Sequence, residues 1–140
     1  MSRACFQSSR GFDPRYAVCE DYELWLRLTD RQAFGWIPDR LTIKHGGHAD
    51  QLSKAIPAMD RFRLHALVDC WIRLPERRSL IEQEIRIKVT TLLQGAEKRQ
   101  LPTDLYQRCL QFLNNPRSQS PAAAATLRRQ LLSHMQEDRD

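Results

Sequence analysis

The chain has 140 residues, enough for one moderate core, with 28% charged and 41% hydrophobic residues, ordinary values for a globular protein. No apolar run approaches the roughly 18 residues that a membrane span needs, and the opening MSRACFQSSR lacks a signal-peptide core; a soluble cytoplasmic protein with no transmembrane segment is expected. The net charge of +5 comes from Lys and Arg interleaved with Glu and Asp, which reads as a solvated mixed-charge surface and argues against a nucleic-acid partner.

In chain order, GFDPRY (11–16) reads as a turn, and an amphipathic helix follows from about Glu20 to Arg31. Leu24, Trp25 and Leu28 form its apolar stripe, with acids in the first turn and Arg27 and Arg31 near the end, as the helix dipole favours. FGWIP (34–38) and RLTIKH (40–45) read as two short strands around Pro38-Asp39, and GGHADQLS (46–53) as a glycine-led loop.

Beyond residue 54 the pattern is helical. Met59, Phe62, Ala66, Cys70 and Leu74 trace one face, with Leu67 and Trp71 beside it, and Pro57 sets the start near itself. A second helix after LPERRS carries Ile81, Ile85, Val89, Leu92 and Leu93. A third runs from Thr103, a suitable N-cap, to Leu113, with Leu105, Cys109 and Phe112 inward. NNPRSQSP is a linker, and a last helix extends from Pro121 to about His134. The expected organisation is a 1–53 unit with the strand pair and a 54–140 helical appendage.

The cysteines at 5, 19, 70 and 109 form no C-x-x-C pair, so neither a zinc module nor a disulfide framework is expected. Cys70 and Cys109 read as small apolar fillers. His45 and His48 flank two glycines; as a pair they fall short of the three or four protein ligands zinc takes. His65 and His134 read as surface or boundary residues. The D-x-D at Asp138 to Asp140 sits in the terminal tail. Glu20 and Asp21 open the first long helix, where acids stabilise the N-terminus by about 0.3–1 kcal/mol each without any catalytic duty.

Taken together, GFDPRYAVCEDYELWLRLTDRQAFGWIPDRLTIKHGGHADQLS resembles the C-terminal part of the catalytic domain of family 2 glycosyltransferases, which have the GT-A fold, an α/β class. The family carries a G-F-D-E turn, an E-D pair opening a helix of the form E-D-Y-x-L-W-L-R, a strand pair, and, in one bacterial subgroup, G-G-H-x-D-Q-L-S. The likeness covers about residues 8 to 64; here the turn departs to Gly11-Phe12-Asp13-Pro14.

The resemblance implies inverting transfer of a sugar from a nucleotide-sugar donor to an acceptor hydroxyl, aided by a divalent metal, Mg or Mn. Asp21 matches the family's catalytic base and Glu20 its neighbour. His48 matches the late histidine that helps hold the metal, with His45 second. Trp25 and Tyr22 are expected to shield Asp21. The strand–helix half that binds the nucleotide in this family is absent from these 140 residues, so the chain by itself is expected to be inactive. Three readings stay open: a piece of a longer glycosyltransferase, one subunit of a split enzyme, or a non-catalytic helical interaction module. Without a sheet to pack on, Leu24, Trp25, Leu28, Trp36 and Ile37 are expected to lack partners, leaving residues 1–53 loose.

Overall fold

The computed structural model describes residues 1–43, 45 and 56–136. Six α-helices stand among them: α1 (Arg3–Ser8), α2 (Glu20–Leu28), α3 (Asp60–Arg73), α4 (Arg78–Lys98), α5 (Asp104–Asn114) and α6 (Pro121–Gln136). Short 3₁₀ turns at Pro75–Arg77 and Pro116–Ser118 reverse the chain before α4 and α6. Each turn has proline at its start, where the missing N–H costs nothing.

Helix α3 is the centre. It packs against α2, α4 and α6, while α5 closes the assembly against α4 and α6. Burial on three sides explains why its sequence is apolar beyond a single stripe: Leu64, Leu67, Val68 and Trp71 face the main core, and Phe62 and Ala66 face a second cluster. Ile85 and Val89 of α4 and Leu131 of α6 complete the main core. Each large apolar side chain so buried contributes roughly 1.5–3 kcal/mol. Trp71 is fixed at three points: its ring meets Phe112 edge-on at 5.1 Å, its Nε1 donates to Glu82 at 2.9 Å, and the Arg78 guanidinium lies 3.8 Å over its face.

The second cluster joins the N-terminal segment to this unit. Tyr16, Val18 and Cys19 pack on Phe62 and Ala66 of α3 and Met135 of α6. Leu24 and Leu28 are likewise buried. The expectation that Leu24 and Leu28 lack partners without a sheet is therefore corrected: α2 docks on α3 and buries both. Trp36 and Ile37 do stay exposed, and Trp25 is partly exposed against Phe34, ring centroids 5.6 Å apart.

The strand pair is also corrected. Residues 32–43 carry no regular structure, and no strand occurs among the described residues. The alternation in FGWIP and RLTIKH suits a half-buried strand, but no described residue covers one face: Trp36 is 88% and Ile43 82% exposed. A two-stranded ribbon with no layer to pack on is marginal in water. The described chain is thus mostly α, and the 53/54 boundary lies outside the described residues.

Smaller differences have local causes. α2 ends at Leu28 rather than Arg31, and α3 starts at Asp60, with Ala58 in the left-handed region just before it. α1 is too short to announce itself by periodicity; Ser2 Oγ caps it by accepting from Cys5 N–H at 3.2 Å. His65 is a core residue, not a surface one, at 1% exposure. Cys70 and Cys109 are buried fillers as expected, and burial pushes their thiols up to about 11 and about 12.

Candidate functional site

The site expected from the sequence begins at the end of α1. Arg10 and Gly11 both adopt left-handed backbone, and the Gly11 and Arg10 N–H groups donate to the Phe6 and Gln7 carbonyls at 3.0 Å each, a Schellman closure. Glycine is favoured at 11: its φ is +65°, and a Cβ there would crowd the Phe6 ring at 3.1 Å.

The chain then turns at Asp13. Its Oδ1 accepts from the Arg15 backbone N–H at 2.9 Å, and the Arg15 guanidinium grips both carboxylate oxygens, the shorter contact being 2.6 Å. The hydrogen bonds from Arg15 hold the Asp13 carboxyl below its ordinary value. Next, Tyr16 Oη meets His65 Nδ1 at 2.5 Å deep in the second cluster. Burial, and then Arg15, push His65 down to about 4, so the imidazole is neutral, while burial drives the Tyr16 phenol far upward.

Helix α2 starts from Cys19, itself left-handed at φ 61°, with no side-chain cap on the helix. Three acids occupy the first turn: Glu20, Asp21 and Glu23. They are not equivalent. Glu23 is buried and is gripped through both oxygens by Arg27 at 2.8 Å each. Two further N–H groups of Arg27 donate to the carbonyls of Ser9 and Gly11, the latter at 2.8 Å. Arg27 therefore ties the preceding turn to the body of α2. Asp21 is exposed and accepts from its neighbour's N–H, Tyr22, at 2.7 Å; Glu20 is half-exposed.

Asp21 is not shielded by Trp25 and Tyr22 as expected; it faces solvent. Tyr22 is itself half-buried, its phenol pushed up to about 12 by burial, with Arg63 5.9 Å over its ring. His45 is exposed and in no regular element, and His48 lies outside the described residues. Glu20 and Asp21 thus share one helix turn, and the described residues bring no histidine to them. Among the described residues no group of three His, Cys, Asp or Glu is placed to hold a metal, so these residues alone do not accommodate the Mg or Mn that the resemblance implies.

Sequence reasoning missed the Glu23–Arg27 clamp and the Tyr16–His65 pair. The first had a signal, an i,i+4 acid–base spacing on α2; the reach of Arg27 to the turn carbonyls had none. The second joins residues 49 apart, beyond any local pattern. No protein family, curated protein or solved structure matches the chain. No helix of the described residues is long and apolar enough to cross a membrane.

Proposed function

We propose that this chain carries the acceptor-activating end of an inverting glycosyltransferase, with Asp21 as general base. One observation supports it best. Of the three first-turn acids, Glu23 is consumed by a clamp that fastens the Ser9 and Gly11 carbonyls to α2, while Asp21 stands exposed and outside that clamp. Its place in the ordered GFDP, EDYELWLR and GGHADQLS segments is where the family has its base.

In the reaction so proposed, an Asp21 carboxylate oxygen takes the proton of the acceptor hydroxyl. The freed oxygen attacks the sugar's anomeric carbon, and the nucleoside diphosphate leaves from the opposite face, inverting the centre. A base held within hydrogen-bond reach contributes about 10²–10⁴-fold. The nucleotide-sugar would be held by a segment outside these 140 residues, in the same polypeptide or a second one, and so would most ligands of a divalent metal.

The test is the assembled enzyme, this chain joined to a nucleotide-binding half, assayed for sugar transfer. Asp21→Asn should lower kcat by about 10²–10⁴ and leave donor affinity unchanged. Near-parental turnover removes Asp21 from the role. A second reading, a non-catalytic interaction module, draws on the exposed run Phe34, Trp36, Ile37, Leu41 and Ile43. It is favoured if the assembled protein binds no nucleotide-sugar yet captures a partner that Trp36→Ser releases.

A further inference from the structure

We infer that the cavity between the start of α3, the ends of α4 and α6 and the start of α5 binds a small anionic amphiphile, one molecule with an apolar body and a phosphate or carboxylate head. The cavity measures about 540 Å³, within the roughly 300–1,000 Å³ of small-molecule sites. This does not rest on the glycosyltransferase reading.

Its walls are mainly apolar, with Ala58, Ala96, Leu101 and Leu105 among them. The exposed charged groups among its described lining residues are Arg99 and Arg108, with the single carboxylate of Asp104. A mostly apolar chamber edged by an excess of guanidinium groups is complementary to an anion carrying a tail, and the guanidinium fork matches phosphate or carboxylate oxygens in pairs.

The cavity is built rather than incidental. Its α4 edge is a Schellman closure: Leu101 N–H donates to Ala96 O at 2.9 Å and Gln100 N–H to Glu97 O at 3.0 Å, with Gln100 left-handed at φ 55°. That closure places Leu101 against the chamber. Opposite it, Tyr106 Oη and His134 Nε2 lie 3.0 Å apart and hold α5 to α6. Arg61 is only 4% exposed and donates to Pro57 O at 2.5 Å, so its position is fixed. Arg99 and Arg108 are exposed at the mouth, where an incoming head group meets them first.

The experiment titrates octyl phosphate into the ¹⁵N-labelled 140-residue chain and follows amide shifts. Inorganic phosphate, octanol and vesicles rich in phosphatidic acid are run in parallel. Saturable shifts at Leu101, Leu105 and Ser133 are expected, with octyl phosphate at least tenfold tighter than either inorganic phosphate or octanol. The double variant R99Q/R108Q should weaken octyl phosphate tenfold or more with octanol unaffected; both side chains are exposed, so its Tm should match the parent's. Absent shifts at those amides, equal binding of octanol, parental affinity in the double variant, or binding to vesicles without binding to monomeric octyl phosphate would each overturn the assignment.

Discussion

Arg27 spans two parts of the chain: it grips the buried Glu23 carboxylate through two 2.8 Å hydrogen bonds and donates to the Gly11 carbonyl. One guanidinium thus settles a buried charge and fastens the loop that precedes the candidate base. Arg27→Leu leaves Glu23 without its cation and the carbonyls of Ser9 and Gly11 without their donor. Removing one partner of a buried pair costs about 3–5 kcal/mol; with Arg27 27% exposed, about 2–3 kcal/mol is expected by urea unfolding. Arg27→Lys keeps the charge but cannot serve both sites, and should lose about half as much. A loss below 0.5 kcal/mol for Arg27→Leu would show that the clamp does not hold the turn.

Asp21 behaves oppositely if the proposed function is right. Its side chain is exposed and accepts from the N–H of Tyr22, so Asp21→Asn should change folding stability by less than about 0.5 kcal/mol. Glu23→Ala, two residues on, should lose about 2 kcal/mol or more by leaving Arg27 without its carboxylate. The pair separates a residue kept for chemistry from one kept for structure. A large unfolding penalty for Asp21→Asn would place Asp21 with the helix cap instead.

The sequence made the helical unit legible because its signals are local. Prolines at 57, 75, 116 and 121 mark helix starts or turns, and the 3.6-residue apolar period of α4 and α5 holds at Ile81, Ile85, Val89, Leu92, Cys109 and Phe112, while Tyr106, Leu113 and Ala96 are buried in addition and Leu93 and Leu105 only partly. His65 was misread because α3 is covered on three sides: a polar residue beside Leu64 and Ala66 looks like an edge until the chain from Tyr16 to Cys19 is laid over it. The strand pair failed for the converse reason. Alternation predicts a strand only where a second layer exists, and the described residues supply none to 34–43. At the candidate site, Glu20 and Asp21 were legible as first-turn acids, whereas their distinction from Glu23 depends on a clamp reaching back to Ser9 and Gly11.

Amide hydrogen exchange should follow that division. Core positions Leu67, Val68, Ile85, Val89 and Leu131 are nearly inaccessible and should exchange only by global opening. Leu24 and Leu28 should be protected as well, because α2 is docked on α3. Residues 34–43, without regular hydrogen bonds, should exchange close to the unstructured rate. Protection across 34–43 would mean those residues pair with something after all; loss of protection in α2 would undo its docking.

The buried Tyr16–His65 pair makes stability depend on pH in a stated direction. His65 is neutral in the fold, held down to about 4 first by burial and then by Arg15, with Arg128 adding to it and Asp69 and Asp13 opposing. The unfolded histidine titrates near 6.5. Between those values the unfolded chain binds a proton that the folded chain refuses, so stability falls as pH drops from about 6.5 toward 4 and is fully present above that window. The full swing for this one group is on the order of 3 kcal/mol. His65→Leu removes the titrating group and should flatten that limb, whatever it does to stability at pH 8. Tyr16→Phe should cost about 1–3 kcal/mol at neutral pH by leaving His65 Nδ1 buried without its partner. Guanidinium titrations at pH 8, 6.5, 5 and 4.5 on the parent and both variants measure this. An acid limb of equal steepness in His65→Leu would assign the dependence to other groups.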